Sequence, residues 1–219
     1  GYLAWRPQLG TALGLHEYDG KITSFFHSST DNELGRLKRF EERLAGLNTN
    51  ALSPSAFYDC RILQAAIRKE IFKFEEMGIY TRNPMTYASA FDVNIYIKRD
   101  FAPLEARVKS VTAILNQAPR VMAAARGNLA ERLPKPFVET AIEVANGAAT
   151  FLEKDLTDAV KDLKTESVAS AFSAANQRAV AELRSFVTYL ENEKLPKADQ
   201  RYPLGREKYQ TMLAGGELI

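Results

Sequence analysis

Two histidines, His16 and His27, are the only imidazoles in the 219-residue chain. Helical zinc peptidases place two histidines four residues apart on one helix face, with a glutamate directly after the first. His16 and Glu17 begin that pattern, but position 20 is Gly20. Neither histidine has the glutamate three residues earlier that a di-iron bundle would need. We therefore predict no metal-binding residue in this chain and interpret the histidines as loop residues.

Cys60 is the only cysteine, so no disulfide can form within the chain. A reactive thiol needs an electropositive, partly exposed setting. Cys60 instead falls on the apolar stripe of a predicted helix, and free cysteine is among the residue types most often buried. We interpret it as a core thiol. Its isolation fits a reducing cytosol and also a large periplasmic domain, so it does not fix the compartment.

Charged residues cluster without forming a site that the sequence can identify. Glu41–Glu42 and Glu75–Glu76 are adjacent on predicted helices, where neighbouring side chains point apart, so neither is a ready acid/base pair. A small basic cluster is offset by nearby glutamates; it consists of Arg36, Lys38, Arg39 and Arg43. Over the whole chain 29 Lys and Arg face 27 Asp and Glu. This balance predicts no nucleic-acid partner, and we predict no catalytic or cofactor-binding residue.

Several tyrosines could line a binding groove. They are Tyr18, Tyr58, Tyr80, Tyr87, Tyr96 and Tyr202. Scattered aromatic residues in helical proteins more often belong to the core or its rim. We favour that interpretation.

Apolar residues recur every three or four positions along most of the chain, which predicts α-helices. A turn-rich stretch over 16–31 precedes the first long helix, with Thr30 or Asp31 expected as its N-cap. Ser53 and Pro54 are typical of the start of the next helix, and Gly78 of its C-terminal cap. The two stripes consist of Leu34, Leu37, Phe40, Leu44 and Leu47, then Phe57, Cys60, Leu63, Ile67, Ile71 and Phe74.

The second half of the chain repeats this pattern more regularly. Pro103 opens a helix and Pro119 breaks it, because proline removes a backbone donor and clashes with the preceding turn. Two alanine-rich helices are expected over 137–163 and 166–194, with Thr165 as N-cap of the second. Their stripes are Val138, Ala141, Ala145, Ala149, Leu152, Leu156 and Val160, then Val168, Phe172, Ala175, Ala179, Leu183, Phe186 and Leu190. A last helix is expected around Tyr209.

Together these elements predict an all-α fold, an antiparallel multi-helix bundle of about seven to eight helices with short loops. We expect one helical region over 1–219, since no linker divides it. No run of about 18 apolar residues exists, so no membrane span is predicted. The first residues, 1–5, lack the basic and apolar regions of a signal peptide and the initiator Met. We expect the sequence to begin inside a gene.

The segment Thr11–Gly20 resembles the opening signature of the bacterial family numbered eight-eighty-five among domains of unknown function. Further similar motifs follow in the family's order over nearly all of the chain. They are Leu52–Pro54 with Tyr58–Asp59, Glu70–Glu76, Asn83–Pro84 with Tyr87, Pro136–Ala141, Leu195–Asp199, and Leu204–Gly205 with Tyr209.

This resemblance implies a helical, gluzincin-like zinc metallopeptidase in which the present chain is the N-terminal part only. The family's metal signature, a His-Glu-Gly-x-Pro-Gly-His-like run with a later glutamate, belongs to a C-terminal half that lies beyond Ile219. None of those ligands can be transferred to a residue of this chain, so zinc is expected only in the full-length parent. The resemblance also favours a periplasmic or lipid-anchored location, with a cytoplasmic one still open.

Two functional hypotheses follow. In the first, the chain is a non-catalytic helical lobe that forms one wall of a peptide-binding cleft, with the C-terminal half of the same protein and a peptide substrate as its partners. In the second, it is an independent helical binding or scaffold module with no enzymatic role. A His-Glu-Gly-x-Pro-Gly-His-like run downstream would favour the first hypothesis, and a stop codon soon after Ile219 the second.

Overall fold

The computed structural model describes residues 1–217, which form α-helices joined by short connections and contain no β-strand. This confirms the predicted all-α class. The helices are α1 (Tyr2–Trp5), α2 (Pro7–Ala12), α3 (His27–Ala45), α4 (Pro54–Glu75), α5 (Met85–Ala88), α6 (Asn94–Lys98), α7 (Leu104–Leu115), α8 (Ala118–Asn128), α9 (Lys135–Phe151), α10 (Thr157–Ala159), α11 (Glu166–Tyr189) and α12 (Arg206–Met212). They exceed the predicted seven or eight because several are single turns within connections.

The bundle, which we define as α5 and α7–α11, is built around the long antiparallel pair of α9 and α11. Every residue of the two predicted stripes on these helices is buried. Alanines at 141, 145, 149, 175 and 179 let the two backbones approach closely. Helices α7 and α8 pack on the other side of α11, and α5 packs on α9. The continuous hydrophobic core therefore lies around α11.

The ends of the bundle helices follow the prolines. Pro119 lies in the first turn of α8, and α7 ends at Leu115 just before it. Pro136 occupies the corresponding position in α9. Thr165 is the N-cap residue of α11, as predicted, but its hydroxyl makes no capping bond and instead donates to the Glu105 carboxylate.

The second long hairpin, α3 and α4, projects from the bundle and is called the arm here. Ion pairs join Lys38 to Glu75 and Glu41 to Arg68, so residue numbers rise along α3 as they fall along α4, and the helices are antiparallel. Ser53 caps α4 as predicted, its Oγ accepting from the Ala56 amide at 3.3 Å.

The prediction for the start of α3 was wrong. The helix begins at His27, inside the stretch expected to be a loop, and its N-cap residue is Phe26. Thr30 is already in the first turn, where its hydroxyl donates to the His27 carbonyl, and Asp31 contacts the His27 ring. Both side chains bond within the helix instead of capping it.

An aromatic cluster joins the arm to the bundle. Phe74 at the end of α4 lies 6.2 Å from Trp5 and 5.0 Å from Tyr80, measured between ring centroids. Tyr80 also contacts Phe25, which packs on Tyr87 of α5. The base of the arm is therefore anchored in the core, whereas Leu37 and Ile67 are buried outside that continuous core.

Candidate functional site

The two histidines contact different partners and do not form one site. His16 lies in a short 3₁₀ turn, where Nδ1 is 3.0 Å from Asp19 Oδ2 and the ring stacks on Phe101 at 4.3 Å. His27 lies in the first turn of α3 and pairs with Asp31 at 2.6 Å. The interpretation of both as loop residues was thus wrong for His27. Among residues 1–217 no three His, Cys, Asp or Glu side chains are grouped as a metal site would require.

Close contacts fix the turn that carries His16. Gly20 has a φ of +71°, and its Cα region approaches Ser110 so closely that an added Cβ would lie 3.3 Å from the Ser110 Cα. Its amide donates to the Tyr96 hydroxyl at 3.0 Å. A side chain at position 20 would therefore strain the backbone and press on α7. This segment positions the connection between α2 and α3.

The charged clusters form ion pairs within the arm and between the arm and α12. Glu75 pairs with Lys38, and Glu76 pairs with Lys208 of α12. Within the basic cluster, Arg36 donates to Glu33 at 2.7 Å. These contacts are ion pairs between or along helices, so the carboxylates have structural partners.

Cys60 is buried, as expected, but it lies on the arm and outside the continuous hydrophobic core. The tyrosines do not share a groove: Tyr80, Tyr87 and Tyr96 are buried, whereas Tyr58 and Tyr202 are exposed. Desolvation by burial raises the pKa of the Tyr87 hydroxyl to about 12.

An open apolar groove lies on the arm and is called the arm groove. Its cavity volume is about 430 Å³. The lining residues are Tyr2, Arg36, Leu37, Phe40, Leu63, Ala66, Ile67, Lys69 and Glu70. Leu37 and Ile67 form a buried floor, while Phe40 and Leu63 are 37% and 50% exposed. The groove thus presents apolar surface to solvent between two helices.

Ionic contacts close one end of the arm groove. Glu70 accepts hydrogen bonds from Arg6 at 2.9 Å and from Lys73 at 2.6 Å. Burial alone would lower the pKa of Arg6, but Glu70 and nearby tyrosines more than offset this and raise it. Burial raises the pKa of the Tyr2 hydroxyl above its ordinary value of 10.0, so this hydroxyl is neutral at pH 7. The groove therefore combines an apolar floor with paired charges at its edge.

A model of the family described as "Bacterial protein of unknown function (DUF885)" matches residues 7–216. The chain belongs to the DUF885 family. A search of curated proteins returns no match.

The fold of this DUF885 chain is similar to that of a solved structure, a presumed lipoprotein of unknown function from Shewanella oneidensis. The TM-score is 0.82 at 23% sequence identity, and the match covers 96% of this chain but 40% of the solved chain. The present chain thus spans about 40% of the length of that structure. Within residues 1–217 no helix is both long and apolar enough to cross a bilayer.

The arm of this DUF885 chain also carries a second line of residues, called the α4 stripe, which is apolar in its half near the N-terminus of α4. Its residues follow one another at spacings of three and four and are Tyr58, Ile62, Ala65, Lys69, Phe72 and Glu76. The half near the C-terminus of α4 lies beneath α12, whose residues share a cavity wall with Lys69, Phe72 and Glu76. At the other half, Tyr58 and Ile62 are each 63% exposed.

Another groove of the DUF885 chain lies between α10 and α11, with a volume of about 680 Å³. A π-helical turn over Leu152–Leu156 frees the Leu152 carbonyl, which accepts from Asn176 Nδ2 at 2.9 Å and from the Thr157 hydroxyl. Glu153 and Arg184 form a two-bond ion pair on its wall. These bonds join Asn176 and Arg184 of α11 to the π-helical turn that follows α9, and Asn176 Oδ1 is buried without a hydrogen-bond partner among residues 1–217.

Sequence reasoning missed the arm groove because it placed Leu37, Phe40, Leu63 and Ile67 of its lining on helix stripes that were expected to be buried. Phe40, Leu47 and Leu63 were placed on buried stripes, yet all three are exposed. The physical reason is that a projecting hairpin has too few neighbouring helices to cover its apolar residues. Helical periodicity identifies an apolar face but does not reveal what covers it.

Proposed function

We propose that this chain is the non-catalytic helical lobe of a zinc-dependent, peptidase-like protein. In this proposal the arm groove forms one wall of a peptide-binding cleft, and the metal site belongs to a C-terminal half of the same protein. The lobe would act by positioning the peptide relative to that metal. The match to the DUF885 family supports the choice of family. The resemblance of the sequence motifs supports the assignment to a peptidase-like parent.

The observation that carries the proposal is the open apolar surface of the arm groove. Pockets that bind ligands are largely apolar, with a few placed polar groups, and about 300–1,000 Å³ in volume. The arm groove, at about 430 Å³, has a floor of Leu37 and Ile67 and a polar end at Glu70. Apolar grooves between helices are a recurrent surface for peptide segments.

The relation to the solved Shewanella structure supports a longer parent. That chain extends well beyond the matched fold, since the match covers 40% of it. Its description as a lipoprotein also supports a periplasmic or lipid-anchored location for this chain.

The test uses the longer protein that carries this chain, assayed for peptide hydrolysis with and without a chelator. We expect stoichiometric zinc and chelator-sensitive cleavage. In that protein Leu63→Lys should raise KM at least about fivefold with little change in kcat. The reason is that it weakens the binding of the substrate and of the transition state equally. The matched control is Leu47→Lys, another exposed leucine of the arm that does not line the groove.

Two outcomes would contradict different parts of the proposal. A longer protein that holds no zinc and cleaves no peptide would remove the peptidase assignment. Equal KM values for Leu63→Lys and Leu47→Lys, in an enzyme that does cleave peptides, would remove the arm groove as a cleft wall.

The alternative is an independent binding module, and one observation favours it. The floor and both sides of the arm groove come from the N-terminal helix, α3 and α4, so its volume of about 430 Å³ is formed without residues from a C-terminal half. A module would bind apolar peptides in isolation. Fluorescence titration of the 219-residue chain with such peptides, with Leu63→Lys and Leu47→Lys compared, tests this directly. Binding lost only in Leu63→Lys, together with an inactive longer protein, would favour the module.

A further inference from the structure

Helix α12 and its π-helical continuation, Leu213–Glu217, run along α4 in the opposite direction. Lys208 Nζ lies 2.8 Å from Glu76 Oε2 near the C-terminus of α4. Eight residues later, a Cβ added to Gly216 would lie 3.4 Å from the Lys69 Cβ. The two segments are therefore antiparallel: residue numbers rise along α12 as they fall along α4, by a similar number of residues.

The end of this helix approaches α4 closely because two glycines stand there. A Cβ at Gly215 would lie 3.9 Å from the Arg68 Cβ, so both Gly215 and Gly216 face α4 at short range. Small residues at a helix contact let the two backbones approach, since the distance between helix axes depends on the side chains at the contact. At Gly216 the chain therefore lies against α4 and is directed along it.

The α4 stripe continues in that same direction. Beyond Lys69 it passes Ala65 and reaches Ile62 and then Tyr58. Ile62 is seven residues from Lys69, which corresponds to about 10 Å along a helix. A helical segment of about seven residues after Gly216 would span that distance, and about eleven residues would reach Tyr58.

We propose that, in the longer protein, the chain that follows α12 continues along α4 and covers Ile62 and Tyr58. This inference rests on the longer parent invoked under the proposed function. It assigns the α4 stripe to contact within the parent and leaves the arm groove, on the neighbouring face of α4, free for peptide. The two exposed apolar surfaces of the arm thus have different partners.

The size of the surface favours a connected segment over a second copy of the chain. A stable interface between separate proteins takes roughly 20–30 residues on each side. The exposed part of the α4 stripe offers two large side chains, Tyr58 and Ile62. A segment that is covalently attached to α12 is held near α4 at a high effective concentration, so a small contact suffices.

The experiment measures thiol labelling at position 62. Ile62→Cys is made in a Cys60→Ala background, both in the 219-residue chain and in the longer protein, and reacted with a maleimide. We expect labelling to be at least about tenfold slower in the longer protein, because the segment must open before the thiol reacts. The matched control is Glu42→Cys in the same background, at an exposed position on α3, which should label at equal rates in both.

Equal labelling of Ile62→Cys in the two proteins would overturn the proposal. Protection that appears in the 219-residue chain and grows with its concentration would also overturn it, because a second copy would then cover the stripe. Zinc content and peptide cleavage are measured on the same samples. A zinc-containing, active parent with an unprotected I62C thiol would refute this inference alone, and an inactive parent with a protected thiol would refute the peptidase proposal alone.

Discussion

Two helical hairpins of similar length and similar apolar periodicity have different environments in this molecule. The α9–α11 hairpin has α5, α7 and α8 packed around it, and its stripes are fully buried. The arm, α3 and α4, contacts α12 on one side and the aromatic cluster at its base, and much of its apolar surface is exposed. The difference lies in the number of neighbouring helices and not in the sequence pattern.

An apolar stripe on a helix thus identifies a face that can be buried, and neighbouring elements decide whether it is buried. A helix buries its apolar face only where another element is packed against it. Leu183 has such neighbours on the bundle side, whereas Leu63 faces the open arm groove. The arm therefore leaves apolar surface exposed, whereas the bundle buries it.

The largest loss of stability is expected when Leu183 is replaced, and Leu63 provides the comparison on the arm. Leu183→Ala should lower the free energy of unfolding by about 2–5 kcal/mol, because Leu183 is completely buried and its removal leaves a cavity. Leu63→Ala should cost less than about 1 kcal/mol, since half of the side chain is already in water. Urea denaturation of both variants measures the difference. Equal losses would show that the arm is packed as tightly as the bundle.

A second comparison concerns polar contacts. Arg107 of α7 is buried and donates to the Tyr96 carbonyl at 2.6 Å, the Ala102 carbonyl at 2.8 Å and the Asp100 carboxylate at 2.7 Å. Arg107→Met should cost about 2–4 kcal/mol, because two backbone acceptors lose a charged donor. On the arm, Arg68 makes an exposed ion pair with Glu41.

Arg68→Met is the matched control, and it should cost under about 1 kcal/mol, as exposed ion pairs usually do. Thermal unfolding of the two variants under the same conditions measures both effects. An Arg107→Met protein as stable as Arg68→Met would mean that the connection between α6 and α7 does not depend on the buried guanidinium.

The two long helices of the bundle, α9 and α11, could be predicted from the sequence. The π-helical turns that follow them, Leu152–Leu156 and Leu190–Lys194, were not predicted, and neither was α5 as a single-turn helix. The stripes from Val138 to Val160 and from Val168 to Leu190 are all buried, because alanine and leucine at helical spacing fit one arrangement of close antiparallel helices. Pro103 and Pro119 placed the boundaries of α7 and α8, since proline restricts the backbone locally. These features depend on residues near one another in the chain.

The arm groove could not be predicted in the same way. Phe40 and Leu63 satisfy the helical period as well as Leu183 does, so periodicity alone assigns them to a core. Their exposure depends on where α12 and the N-terminal helices lie, which is decided by contacts between distant residues such as Arg6 with Glu70 and Lys208 with Glu76. The prediction of where α3 starts was wrong for a different local reason, because no side chain caps this helix.

The smallest expected effect is a pH dependence that separates the two regions. Tyr87 of the bundle donates its hydroxyl to the Tyr80 carbonyl at 2.6 Å and accepts from Asn128 at 3.0 Å. Burial raises its pKa from the ordinary value of 10.0 to about 12, so the folded state holds the proton more tightly than the unfolded chain. Its contribution to stability is therefore complete below pH 10 and lost as the pH rises towards 12.

This loss should amount to about 1–3 kcal/mol, because each pKa unit corresponds to about 1.4 kcal/mol. Urea midpoints at pH 7, 10 and 11 measure it. Tyr87→Phe should make the decline above pH 10 shallower while lowering stability at pH 7, where the Tyr80 carbonyl loses its donor. Tyr58→Phe on the arm should leave the decline unchanged, because Tyr58 is exposed in the folded chain. Identical declines for Tyr87→Phe and Tyr58→Phe would show that alkaline unfolding does not begin in the bundle core, and that the contrast between the two regions does not extend to their titration.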